Sequence, residues 1–282
     1  MTTFAEHPPT VKFLGGPTNP LSIMTEAWCR SRDLEIPKDG TENRELAVNT
    51  WRMLAFEFTQ IPEMVKYTWW IDDMPRSFFD QMTRYRKTGF FARSQRIRNQ
   101  SGFAARGEYL TTPTIASHKQ AAKIYRNAMR QIDGAYTKLI KIGVPAEEAR
   151  GLLPLHLRTG FTWTLTLRDI KDVFRARTCH LLQQDYWAHI GERMRLDLCK
   201  IDEELGILFK PPCQVDGTCL SNVEAQARIK ALGEGRMDLF PCRIYNEKFT
   251  PPEPALAVQR MVNTGQTRWA SSMEEVLGVS EK

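Results

Sequence analysis

Apolar residues recur at helical spacing over several stretches of this chain, with short alternating runs between them. Pro20 to Cys29 (PLSIMTEAWC) and Glu42 to Phe56 read as helices, the second with Leu46, Val48, Trp51, Leu54 and Ala55 on its inner face. Pro62 breaks that pattern. Val65 to Ile71 (VKYTWWI), rich in β-branched and aromatic residues, predicts a strand. Pro75 suits the first turn of a helix running to about Arg86, with Phe78, Phe79 and Met82 inward and Gly89 as its stop. From His118 to Ile142, Ala121, Ile124, Tyr125, Ala128, Ile132, Tyr136, Leu139 and Ile140 mark a long helix that Gly143 ends. Pro145 opens a shorter helix that carries Arg150 and ends before Pro154. Phe161 to Leu167 (FTWTLTL) reads as a strand.

Asp169 then predicts the cap of one long helix, with Ile170, Val173, Phe174, Leu181, Leu182, Tyr186, Ile190 and Met194 as its inner stripe. Arg177 lies seven residues after Ile170 and falls on that stripe. Either it snorkels or pairs with a carboxylate, or the stripe opens into a pocket where it meets a ligand. Past Leu208 the texture changes to paired prolines, Pro211-Pro212 and Pro251-Pro252, with Ser221 and Glu224 spaced as a capping box between them. The expected organisation is therefore a catalytic domain over residues 1–210 and an extension over 211–282 that acts as a surface or oligomer-bracing arm.

Composition narrows the class without choosing a chemistry. Of 282 residues, 42% are hydrophobic and 26% charged, which is ordinary for a globular chain. No apolar run approaches the roughly 20 residues of a membrane span. Met1 to Thr10 is polar and contains Pro8 and Pro9, unlike a secretory signal, so free thiols in a reducing cytoplasm are expected. The six cysteines (Cys29, Cys179, Cys199, Cys213, Cys219 and Cys242) form no C-x-x-C pair, and no metal site is assigned to them. The five histidines are scattered, and phosphate-binding glycine loops, G-x-S-x-G elbows and H-E-x-x-H helices are absent.

Charge is more informative in its distribution than in its formal net value of +6. Between Arg76 and Arg106 stand Arg76, Arg84, Arg86, Lys87, Arg93, Arg96, Arg98 and Arg106, against Asp80 alone. Such an excess requires counter-charge from solvent, a ligand or acidic neighbours. Within it, Arg84-Tyr85-Arg86 is followed by a glycine turn and then by Ser94 and Arg96. Guanidinium forks and a hydroxyl suit phosphate oxygens, and a solvated basic face is the alternative.

The segment R-Y-R-x-x-G-x-F-A-x-S-x-R from Arg84 to Arg96 resembles the R-H-R-x-x-S-x-N-E-x-S-x-R motif of flavin-dependent thymidylate synthases. A second block, G-V-P-x-E-x-A-R-x-x-L-P-L-x-L-x-T from Gly143 to Thr159, followed by Phe161, Trp163 and Arg168, follows the same family's pattern. Arg177 and Gln183 match an arginine and a glutamine of the next helix, and Gln81 an upstream glutamine. The resemblance runs from about residue 12 to 210. It implies an α+β fold of helices packed on a mainly antiparallel sheet, and a homotetramer.

It further implies that Gln81, Arg84, Ser94, Arg96, Arg150 and Arg177 hold deoxyuridylate, with Arg93 and Gln95 in the same segment. Arg177 would stand against the pyrimidine ring and act as the catalytic cation, stabilising charge when C5 attacks. FAD would meet Arg84, Tyr85, Arg86, Thr166, Leu167, Arg168 and Asp172, with NADPH and methylenetetrahydrofolate as co-substrates. Several family positions differ. Tyr85, Gly89, Phe91 and Ala92 replace histidine, serine, asparagine and glutamate. Thr59, Ile61 and Met64 stand where the family has a histidine–hydroxyl–glutamate cluster, and Ile61 and Met64 carry no hydrogen-bonding group. These changes leave open methyl transfer, hydroxymethyl transfer to the same carbon, a non-catalytic nucleotide-binding role, or a nucleic-acid interface built on the basic segment with Phe90, Phe91 and Phe103.

Overall fold

A computed structural model describes residues 8–36, 41–54, 60–178 and 185–210. The readings placed on Thr59, Leu181, Leu182, Gln183, the capping box at Ser221 and the cysteines Cys179, Cys213, Cys219 and Cys242 lie outside these residues. The chain divides into two compact units, one drawn from Met1–Gly15 and Thr68–Thr164, the other from Gly16–Tyr67 and Leu165–Lys282. Among the described residues no helix is long and apolar enough to cross a membrane.

A four-stranded sheet in the order β1-β2-β4-β3 is built from β1 (Thr10–Gly15), β2 (Lys66–Pro75), β3 (Gly89–Ala92) and β4 (Arg158–Thr166). β1 runs antiparallel to β2, with Lys12 opposite Trp70, and β3 antiparallel to β4, with Phe91 opposite Thr162. With helices on this sheet, the architecture is the expected α+β class.

Side-chain alternation decides what each strand buries. In the first unit Trp69, Ile71, Phe161 and Trp163 face the core, and α3 (Arg76–Met82) lays Phe78 and Phe79 onto Phe161 at 6.0 and 5.6 Å between ring centroids. After a short α4 (Pro113–Ser117) comes α5 (Lys119–Lys141), the long predicted helix, which closes a second cluster of Phe103, Tyr109, Met129 and Leu157. Gly143, at φ 92°, ends it in a conformation that glycine adopts without strain. α6 (Ala146–Ala149) follows and passes into a 3-10 turn over Arg150–Leu152.

Three expectations are corrected. α3 stops at Met82, four residues short of Arg86, because the Thr83 hydroxyl bonds the Asp80 carbonyl at 3.0 Å and the next amides turn back onto Phe79, Gln81 and Met82. Gly89 opens β3 instead of stopping a helix. Asp169 is not the cap of the next helix: Thr166 is. Its hydroxyl accepts from the Asp169 amide at 3.0 Å, while the Asp169 carboxylate accepts from the Thr166 amide at 3.0 Å, a reciprocal capping box.

The predicted long stripe belongs to two helices of the second unit, α7 (Leu167–Arg177) and α8 (Asp185–Ile201). Thr178 ends α7, its amide and hydroxyl both bonding the Phe174 carbonyl. Phe174 then packs edge-on against Trp187 at 6.3 Å, beside Gly191, where a Cβ would stand 2.9 Å from the Phe174 ring. α1 (Pro20–Arg30) and α2 (Thr41–Leu54) complete this unit with Met24, Trp28 and Trp51 buried, and the Trp51 indole donates to the Glu204 carbonyl at 3.0 Å.

Candidate functional site

The basic segment of the first unit folds as a turn, a strand and a second turn. Arg84, Tyr85 and Arg86 occupy the turn after α3, which Thr88 closes by donating to the Tyr85 carbonyl through its amide at 3.3 Å and its hydroxyl at 3.1 Å. Gln81 is half-buried on the last turn of α3. The side chains of Arg84 and Arg86 are exposed and form no ion pair or hydrogen bond among the described residues.

Beyond β3 the arginines are partnered. The Arg93 amide extends the ladder to the Gly160 carbonyl at 2.8 Å, and its guanidinium forks Asp72 at 2.7 and 2.6 Å while lying 5.2 Å from the Trp70 ring. Gly160 makes room for that fork, since a Cβ there would meet Asp72 Oδ1 at 2.6 Å and Trp70 at 2.8 Å. Arg96 bonds Glu147 at 2.7 Å, and its amide donates to the Ser94 hydroxyl at 3.2 Å. Arg150 follows Glu147 by three residues and so shares its side of the turn. The ion pair therefore brings Arg96 and Ser94 to the stretch that carries Arg150, and Gln95 lies half-buried between the first two. Glu108 takes both Arg106 and Arg98, at 2.8 and 3.5 Å, and the Arg106 hydrogen bond holds its carboxyl below the ordinary range.

The second unit holds the remaining predicted residues. Thr166 is committed to the capping box, and Leu167 is buried with its amide on the Val65 carbonyl at 3.0 Å. Arg168 bonds Glu63 and stands 3.7 Å from Asp172, while its buried Nε lacks a hydrogen-bond partner. Arg177, half-buried at the end of α7, carries its guanidinium 4.7 Å from the Trp187 ring centroid. The Trp187 ring thus supports the Arg177 guanidinium from one side. Ile61 and Met64 flank Pro62 and Glu63 in a 3-10 turn, with Met64 largely exposed.

Four participants escape the sequence reading. Asp72 and Glu147 anchor the arginines but are ordinary acids in the sequence. Lys171 is buried on α7, which pushes its ammonium pKa down by desolvation. Arg158 opens β4 with Nε and Nη2 buried and unbonded, and burial lowers its pKa too. Strand alternation puts Arg158 on the face of Gly160 and Thr162, the one available signal that it lies near the Arg93 fork. Among the described residues no cluster of His, Cys, Asp and Glu is arranged to hold a metal.

Residues 22–196 match the family model described as thymidylate synthase complementing protein. A flavin-dependent thymidylate synthase from Geobacter sulfurreducens is 26% identical over 146 residues, 51% of this chain and 62% of that protein. The chain thus spans about three fifths of the length of that relative. Thymidylate synthase X from Helicobacter pylori, solved with FAD and dUMP, superposes with a TM-score of 0.57 at 14% identity, covering 72% of this chain and 97% of that one. A UMP/dUMP methylase from Streptomyces cacaoi, solved with 5-Br dUMP, also gives 0.57, at 18% identity and covering 71% and 94%.

Proposed function

Because the chain belongs to the thymidylate synthase complementing protein family, we propose that it transfers a one-carbon unit to C5 of deoxyuridylate in a flavin- and folate-dependent reaction. The observation that carries this reading is the contrast within the basic segment. Arg93, Arg96, Arg98 and Arg106 have carboxylate partners, whereas Arg84 and Arg86, at the family's R-x-R positions, are exposed and have none among the described residues.

A flavin fits the cationic half of its expected site. Exposed Arg84 and Arg86 offer guanidinium donors to a diphosphate, with Tyr85 between them. Arg168 and Asp172 would hold the rest of the cofactor with Leu167, the buried Arg168 Nε being a donor still to be satisfied. Thr166 can serve there through its backbone, since its hydroxyl belongs to the capping box. When bound, the flavin supplies the reducing electron pair, drawn from NADPH, with methylenetetrahydrofolate as carbon donor.

The chain's own residues then have separable tasks. Gln81, Arg84, Ser94, Gln95, Arg96 and Arg150 bind and orient the nucleotide, its phosphate taking the arginines and the Ser94 hydroxyl. Arg93 joins them by exchanging Asp72 for phosphate. Arg177, stiffened by Trp187, holds its positive charge against the pyrimidine as C5 becomes nucleophilic. No cysteine need add to the ring. The catalytic unit is read as residues 1–210 in a homotetramer, in the cytoplasm.

A second product has a specific observation behind it. Phe91 is 81% exposed and Ala92 half-buried where the family has asparagine and glutamate, so the polar lining beside the arginines is altered. Water trapping the one-carbon intermediate in place of hydride would give hydroxymethyl-deoxyuridylate. Purified protein should bind FAD and show flavin absorbance, and incubation with dUMP, methylenetetrahydrofolate and NADPH, followed by mass analysis of the nucleotide, separates methyl from hydroxymethyl. Arg177→Ala should abolish turnover with the fold retained. Colourless protein that cannot be reconstituted with flavin, or an active Arg177→Ala, would defeat the reading.

A further inference from the structure

Helix α5 buries Ala122, Met129, Asp133 and Tyr136, and an adjoining exposed side is basic. Lys119, Lys123, Arg126, Arg130, Lys138 and Lys141 are all exposed. They recur at three- and four-residue steps, with exposed Gly134 midway between Arg130 and Lys138, so they form one stripe along the helix. The helix has a single acid, Asp133, and it faces inward. Its carboxylate accepts from the Gly102 amide at 2.7 Å and the Ala104 amide at 3.0 Å. That carboxylate is thus committed to two backbone amides, and α5 carries no other acid.

Two features distinguish this face from an ordinary solvated one. Gly134 is the poorest helix former after proline, yet no packing requires it, since a Cβ there would meet nothing within 4 Å. Beside it opens a cavity of about 540 Å³ whose lining joins Arg130, Lys138 and Lys141 to Ala104, Asp133 and Gly134. Three cations and one carboxylate thus stand around the exposed Gly134 backbone.

We propose that this stripe binds the phosphodiester backbone of a nucleic acid. From Lys119 to Lys141 the helix rises about 33 Å, with successive cations roughly 5–6 Å apart along most of it. A linear array of that length exceeds any mononucleotide. It suits a polymer whose negative charges recur regularly along its length, as phosphates do on each strand of a nucleic acid. An acidic peptide would meet it with carboxylates on side chains of irregular spacing. The inference concerns a face of the first unit and stands apart from the one-carbon reaction, which uses neither α5 nor its cavity.

Fluorescence anisotropy on the full chain tests it, with labelled single-stranded and duplex oligonucleotides of about 20 nucleotides and salt from about 50 to 300 mM. Engagement of all six cations gives a slope of log K against log salt near −4 for single strands and near −5 for duplex, at about −0.7 and −0.9 per contact. A combined Lys123→Gln, Arg126→Gln, Arg130→Gln variant, folded by circular dichroism, should lose about half of that slope and at least about tenfold in affinity at low salt. An Arg98→Gln, Arg106→Gln variant should bind as the parent does. The proposal is overturned if the parent shows no binding at the lowest salt, if the second variant takes the loss instead, or if a poly-glutamate peptide of equal charge competes as well as the oligonucleotide.

Discussion

Replacing Gly160 with alanine should unseat the arginine fork beside the proposed phosphate site. The new methyl carbon would stand 2.6 Å from Asp72 Oδ1 and 2.8 Å from the Trp70 ring, where about 3.5 Å is comfortable. Both are side-chain atoms of β2 residues, so the Asp72 carboxylate and the Trp70 ring must turn aside from the fork. Overpacking of this kind costs about 1–3 kcal/mol. The Arg93–Asp72 pair adds little to that figure, because side chains 39% and 20% exposed leave it largely screened, at about 0.2–1 kcal/mol. Urea denaturation should therefore show Gly160→Ala less stable by about 1–3 kcal/mol with an unchanged m value. In an Asp72→Ala background the same change should cost measurably less, because one of the two opposing groups is gone. A cost under about 0.5 kcal/mol, or an identical cost in both backgrounds, would refute this account of the glycine.

Other consequences follow from the same contacts. Asp72→Asn keeps the shape but releases the Arg93 guanidinium from a carboxylate, so dUMP should bind more tightly by calorimetry if phosphate is to take Asp72's place. Weaker binding would show that the fork is needed intact. Arg84→Ala and Arg86→Ala remove exposed side chains that have no ion-pair partner among the described residues, so each should shift stability by less than about 0.5 kcal/mol while weakening flavin or nucleotide binding several-fold in titration. Thr166→Ala removes the hydroxyl half of the capping box and should cost about 1–2 kcal/mol in denaturant, with Thr166→Ser recovering most of it. Glu108 has a folded pKa depressed below its ordinary 4.5 by the Arg106 hydrogen bond. Its contribution is thus fully present above the unfolded value and is lost as pH falls through the folded one. Glu108→Gln should flatten the acid-side decline in stability below about pH 4.5 relative to the parent.

Elements whose stability is local were legible in the chain, and those completed by a distant partner were not. α1, α2 and α5 each carry enough apolar residues on one face to announce a helix. β3 does not: Gly89–Ala92 has four residues, three of them exposed, and is a strand because β4 supplies its ladder. β1 alternates over only six residues, too few to stand out. The end of α7 at Arg177 leaves no mark in the apolar spacing, which resumes in α8. At the candidate site the cations were visible in the sequence as a cluster. Their partners were not, because Asp72 and Glu147 are 21 and 51 residues from the arginines they hold.

That pairing changes what the positive charge means. As a string of letters, Arg76 to Arg106 is one basic patch that suits any polyanion. In the fold Arg76 stands 3.3 Å from Asp80, and Asp72, Glu147 and Glu108 take Arg93, Arg96, Arg98 and Arg106. Among the described residues the arginines that remain are Arg84 and Arg86, at the turn that ends α3, in reach of one phosphate or diphosphate. A second set of exposed cations is elsewhere, spread along α5 in a line that no small ligand spans. Ionic strength separates the two. A compact site that meets one or two phosphate groups through fixed forks loses affinity gently with salt, whereas six contacts along a polymer lose it with a slope near −4 or −5. Nucleotide affinity that fell as steeply as oligonucleotide affinity would mean that both ligands use the same cations, and the division drawn from Asp72, Glu147 and Glu108 would be wrong.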